Sequence, residues 1–155
     1  MKESNVLQKT AESKLYDQDF QLWLEDTAAK LKVRDVDNLD WENLIEEIIA
    51  LGKSEKRELI HRLEVLLSHL LKRIYIDSAY DNRSWELTIK EQRRQLQLQL
   101  KQSPSLKKYF TEIFDDCWQY ALTQVKLEYA KVPFPEHWEF SRDPEAILSQ
   151  EFWLQ

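Results

Sequence analysis

The sequence predicts an all-α protein: a single-domain helical bundle with about five main helices and a short C-terminal one. Three observations carry that expectation. Only one glycine, Gly52, occurs in 155 residues, whereas a β-sandwich needs many tight turns and the backbone freedom that makes them. Apolar residues recur every three or four positions through long runs, the spacing that lines up along one face of a helix. Polar caps and prolines fall between those runs, where helices start and stop.

Residues 1–15 are polar and aperiodic and read as a flexible arm, which leaves residues 16–155 as the domain. Asp17 is the expected N-cap of a first helix, in which Phe20, Trp23, Leu24, Thr27, Ala28 and Leu31 share a face. The segment KVRDVDNLD breaks the pattern. Asp40 then opens a second helix, with Trp41, Leu44, Ile45, Ile48 and Ile49 as a stripe to be buried, and Gly52 stands where that helix would end.

Ser54 caps a third helix running to about Ile76. Its stripe of Leu59, Ile60, Leu63, Leu66, Leu67, Leu70, Leu71 and Ile74 is wide enough for the centre of a bundle. Ser84 opens a fourth, to about Lys101, carrying Trp85, Ile89, Leu96 and Leu100. Ser103 and Pro104 start a fifth, because proline is tolerated in a first turn whose N–H groups lack helical partners. Its face is Leu106, Tyr109, Phe110, Ile113, Phe114, Cys117, Ala121 and Val125, and the prolines of VPFPEHW stop it. DPEAIL, from Asp143, begins the short last helix, and EFWL docks back on the bundle.

Composition removes several functional classes. One glycine excludes dinucleotide fingerprints, P-loops and nucleophile elbows, all of which bring backbone close to a ligand or turn it at positive φ. A single cysteine, Cys117, cannot form an intrachain disulfide, and a reducing interior follows. The N-terminus lacks the apolar region of a secretory signal, and no apolar run nears the roughly 20 residues of a membrane span. A soluble, cytoplasmic protein that does not engage a membrane is expected.

The net charge of −6 is unevenly placed. Residues 1–52 carry 6 basic and 12 acidic side chains, residues 53–108 carry 13 and 7, and residues 109–155 carry 3 and 9. The middle of the chain is basic and both flanks are acidic. Such segments either complement one another within the fold or present a surface to a charged partner.

Catalytic chemistry finds little purchase. Glu58 and His61 make one E-x-x-H, half the motif of a di-iron bundle, and no second copy occurs. No metal or cofactor is expected. Cys117 sits mid-stripe, where a thiol behaves as a small hydrophobe. The polar anomaly is Arg93, at the edge of the stripe that holds Trp85. A buried guanidinium needs a carboxylate or a ligand anion, and Glu47 is a candidate partner. A polar pocket of Glu47, His69, Trp85 and Arg93 is the alternative. Lys72, Arg73, Arg83, Lys90 and Arg94 gather around one loop with Tyr75, Tyr80 and Trp85 interleaved, the parts a nucleic-acid surface uses.

The stretches YDQDFQLWLEDTAAKLK, LDWENLIEEIIALGKSEKRELIHRLEVLLSHLLK, SWELTIKEQRRQL, SPSLKKYF and FPEHWEFSRDPEAILSQEFWL resemble the bacterial family named domain of unknown function twenty-nine. The resemblance covers nearly the whole chain after the arm. It implies a small, soluble, helical protein of the cytoplasm, and it carries over no catalytic residue. Glu47, Gly52, His69, Lys72, Ser84, Trp85 and Arg93 fall on its motif positions. The leading expectation is a non-catalytic interaction module with a charge-segregated surface, serving a protein partner or a homo-oligomer. A small-molecule-binding protein or enzyme using the polar pocket, and nucleic-acid binding through residues 72–94, are the other readings.

Overall fold

The computed structural model describes residues 15–154, so the arm expected over residues 1–15 lies, apart from Leu15, outside the described residues. Helices account for every long element, and no strand occurs among the described residues. They are α1 (Phe20–Lys32), α2 (Trp41–Tyr75), α3 (Asn82–Gln102), α4 (Leu106–Glu128) and the short α5 (Pro144–Ile147). Single 3-10 turns stand at Val36–Asn38 and Phe152–Leu154. The all-α expectation holds. The described residues fall into two compact units that divide between Ser54 and Glu55.

The two helices expected on either side of Gly52 are one helix, α2, of 35 residues, about 50 Å long at 1.5 Å per residue. A glycine ends a helix when it adopts positive φ, and Gly52 does not. The surrounding Ala, Leu, Lys and Glu residues favour helix, which outweighs the roughly 1 kcal/mol that one glycine costs. Residues 48–58 of α2 are exposed at every position.

In the first unit, α1 is capped by Asp19 rather than Asp17: the Asp19 carboxylate accepts from the Leu22 N–H at 3.0 Å. The helix ends with Arg34 at φ 60°, whose Nη1 donates to the Leu31 carbonyl at 2.9 Å. Trp23 holds the unit together. Its ring meets Tyr16 edge-on at 4.9 Å and stacks on Phe20 at 5.8 Å, and its indole N–H donates to Asp40 at 3.2 Å. Asp40 also accepts from the Asn43 amide at 2.7 Å.

The second unit contains the main core. Leu59, Leu63, Leu66, Leu67, Leu70 and Leu71 of α2 are sealed from solvent, each burial contributing about 1.5–3 kcal/mol. They pack with Ile89 and Leu96 of α3, and with Phe110, Phe114, Cys117, Ala121 and Val125 of α4. After α4 the chain returns over this core through Phe134, Trp138 and Phe140. It closes with Ile147 and Phe152, whose ring lies 5.1 Å from that of Trp138. Asp143 caps α5 by accepting from the Glu145 N–H at 3.2 Å, as DPEAIL predicts.

Candidate functional site

Arg93 is 8% exposed and its partners are not carboxylates. Its Nε donates to the Ile147 carbonyl at 3.0 Å and its Nη2 to the Gln150 carbonyl at 2.6 Å. One helical turn on, the Gln97 amide donates to the Leu148 carbonyl at 3.1 Å. Where a carboxylate was expected, Arg93 instead clamps carbonyls at and just after the C-terminal end of α5. The reason is general: the end of a helix leaves carbonyl oxygens without intrahelical donors, and a cation suits the negative end of its dipole. Burial pushes the Arg93 guanidinium down to about 10, with Glu151 opposing, so it stays protonated at neutral pH.

The other three pocket residues occupy separate settings. Glu47 lies in the first unit, where it accepts the Tyr16 hydroxyl. That bond, before any effect of burial, pushes the Tyr16 phenol up to about 12. His69 is partly buried on α2, its Nδ1 2.8 Å from the Val65 carbonyl, and burial holds its imidazole below the ordinary value of 6.5. Trp85 is in the core at 7% exposure, edge-on to Tyr129. Two clefts of the second unit open elsewhere. One of about 270 Å³ is lined by Gln97, Leu100, Pro104 and Leu148, and another of about 290 Å³ by Phe114, Trp118, His137 and Arg142. Neither is lined by Glu47, His69, Trp85 or Arg93.

The basic residues separate in the same way. Lys72, at 9% exposure, pairs with Glu128 at 2.9 Å and faces the Tyr129 ring. Arg73 pairs with Asp77 at 3.1 Å, lies 3.4 Å from Glu86 and covers the Trp153 ring. Both cations help to hold the second unit together. Arg83, Lys90 and Arg94 are exposed, and Arg94 is paired with Glu91 at 3.0 Å.

An apolar surface that its periodicity predicts to be buried lies in the first unit. Trp23, Leu39 and Thr27 are its buried side chains among the described residues. Phe20, Leu24, Leu31, Trp41, Ile45, Ile48 and Ile49 stand 38–61% exposed. The stripe Trp41–Ile45–Ile48–Ile49, expected to be buried, faces solvent. The side of α2 that carries Asn43, Leu44 and Glu47 is the one partly covered. Projecting α2 at about 100° per residue places Glu42 and Glu46 along one edge of the open stripe and Glu47 beyond the other. Periodicity had marked the stripe itself, but nothing in it says what covers the stripe.

Among the described residues the protein is all-helical, and its first unit carries an exposed apolar face on α2. The chain belongs to the family described as Domain of unknown function DUF29, whose model matches residues 15–153. No curated protein and no solved structure matches it. Among the described residues, no helix is long and apolar enough to cross a membrane, and no three His, Cys, Asp or Glu side chains gather as a metal-ligand set.

Proposed function

We propose that the chain is a non-catalytic interaction module whose working surface is the open face of the first unit. The observation that carries this reading is the exposure of Trp41, Ile45, Ile48 and Ile49 on successive turns of one helix. Contiguous apolar surface of that kind costs solubility and marks interaction sites rather than ordinary solvent-facing helix. The polar-pocket reading has less support, because the Arg93 donors are taken by carbonyls of its own unit. Nucleic-acid binding loses Lys72 and Arg73 to ion pairs and to packing against rings.

The test compares two tagged full-length chains purified from native lysate, wild type and Ile45→Glu with Ile49→Glu. Co-eluting proteins are identified by mass spectrometry, with and without nuclease. A stoichiometric partner present with wild type and lost with the variant, at unchanged melting temperature, is expected. The same co-eluting set from both chains would reject the surface. A set lost only on nuclease treatment would favour the basic residues instead.

A further inference from the structure

The open face also carries information about its occupant. Within residues 15–54 there are ten acidic side chains (Asp17, Asp19, Glu25, Asp26, Asp35, Asp37, Asp40, Glu42, Glu46, Glu47) and four basic ones (Lys30, Lys32, Arg34, Lys53), so 4 − 10 gives −6. Glu42 and Glu46, both exposed, run beside Ile45 and Ile49 on the same helix. No Lys or Arg occurs between Trp41 and Gly52. The face is thus an apolar ridge with an acidic border.

Resting on the interaction reading above, we propose that the occupant is a basic amphipathic helix of another protein, its apolar side on Trp41, Ile45, Ile48 and Ile49 and its Lys or Arg residues opposite Glu42 and Glu46. An apolar stripe on a helix is matched by side chains at i, i+3, i+4 and i+7 of a second helix, which supplies area and register. The acidic border selects the partner, since opposite charges accelerate and orient encounter and like charges facing each other are costly. A second copy of this chain docked face to face would set one acidic border against another. The charge of the unit therefore favours a basic partner over self-association.

The test uses the full-length chain and two fluorescent peptides of about 18 residues, some five helical turns. One is an amphipathic helix of leucine and lysine, the other its leucine and glutamate counterpart. Binding is read by anisotropy, and the mass of the chain alone is read by light scattering. The lysine peptide is expected to bind at least about tenfold more tightly than the glutamate peptide, and to weaken as salt screens the border. Ile45→Gln with Ile49→Gln should abolish binding. Glu42→Gln with Glu46→Gln should erase the preference between peptides while leaving apolar binding. Circular dichroism checks that both variants stay folded.

Equal binding of the two peptides, lost in the isoleucine variant, would overturn the basic partner and leave the interaction reading standing. Lysine-peptide binding undiminished in the isoleucine variant would overturn the proposal as mere charge attraction. A doubled mass that the isoleucine variant restores to single, with no peptide bound, would replace the partner with a second copy. Binding of neither peptide at unit mass would overturn the proposal, leaving the interaction reading to its own pull-down.

Discussion

Replacing Arg93 by alanine removes two charge-assisted hydrogen bonds, to the carbonyls of Ile147 and Gln150. Bonds of this kind contribute about 1.5–3 kcal/mol each. Part of the loss returns as relief from holding a guanidinium in the interior, which is why burial pushes it down to about 10. Part returns because carbonyls at the chain's end can turn to water. A net destabilisation of about 3 kcal/mol is expected, measured as a fall in the urea midpoint at unchanged slope, with a drop in melting temperature of about 10 °C for a chain of this size. Arg93→Lys should recover only part of it, because a single ammonium does not reproduce the planar fork that spans two oxygens. Gln97→Ala, which removes one neutral bond, should cost about 1 kcal/mol. Hydrogen exchange should speed up at residues 147–152 before it does in α4. An Arg93→Ala protein within about 1 kcal/mol of wild type would refute the clamp as a stabilising element.

Three further outcomes follow from single side chains. Gly52→Ala should stabilise the chain by about 0.5–1 kcal/mol, because a methyl group there meets nothing within 4 Å and the backbone is already helical; destabilisation in a urea titration would mean that α2 needs its glycine. His69 is held below 6.5 mainly by burial, with its bond to the Val65 carbonyl opposing. The unfolded chain therefore binds the proton first as pH falls, and stability present above about 6.5 is lost below it. His69→Gln should shrink the loss in urea midpoint on acidification through that window, and an equal loss in both proteins would reject the assignment. Cys117 is 1% exposed and its thiol is pushed up to about 12, chiefly by burial. An aromatic disulfide reagent should label it only as fast as the chain unfolds, and rapid stoichiometric labelling of the native protein would contradict its placement.

Where the sequence foretold the structure, side chains faced side chains of their own unit. The stripe from Leu59 to Leu71 and the series Phe110, Phe114, Cys117, Ala121 repeat often enough to define both helices and their buried faces. Asp143 and Pro144 mark a helix start by local chemistry alone. Gly52 misled because a glycine's preference is weak against a run of helix-forming neighbours. The stripe from Trp41 to Ile49 misled differently: an amphipathic pattern shows that one face is apolar, whereas burial depends on what stands opposite. Arg93 reads as a cation in need of partners, but a partner made of backbone carbonyl leaves no residue type to read. Glu47 looked available for the same reason, and its partner, Tyr16, lay just beyond the expected arm.

The eleven exposed residues from 48 to 58 give α2 an unusual kinetic character. With every side chain exposed, their helix rests chiefly on its own hydrogen bonds and on being continued at both ends. It is held from outside by the Gln99 amide on the Glu55 carbonyl at 2.7 Å and by the Tyr109 ring under Lys56 at 4.9 Å. So short a segment is marginal in isolation. Amides there should exchange with solvent sooner than those from Leu59 to Leu71, and a protease should find the chain at this point first. Whatever settles on Trp41 to Ile49 would pin the upstream end of that segment and slow its fraying. The middle of α2 thereby becomes an internal gauge of occupancy, legible in exchange rates several residues from any contact and without a label on either molecule.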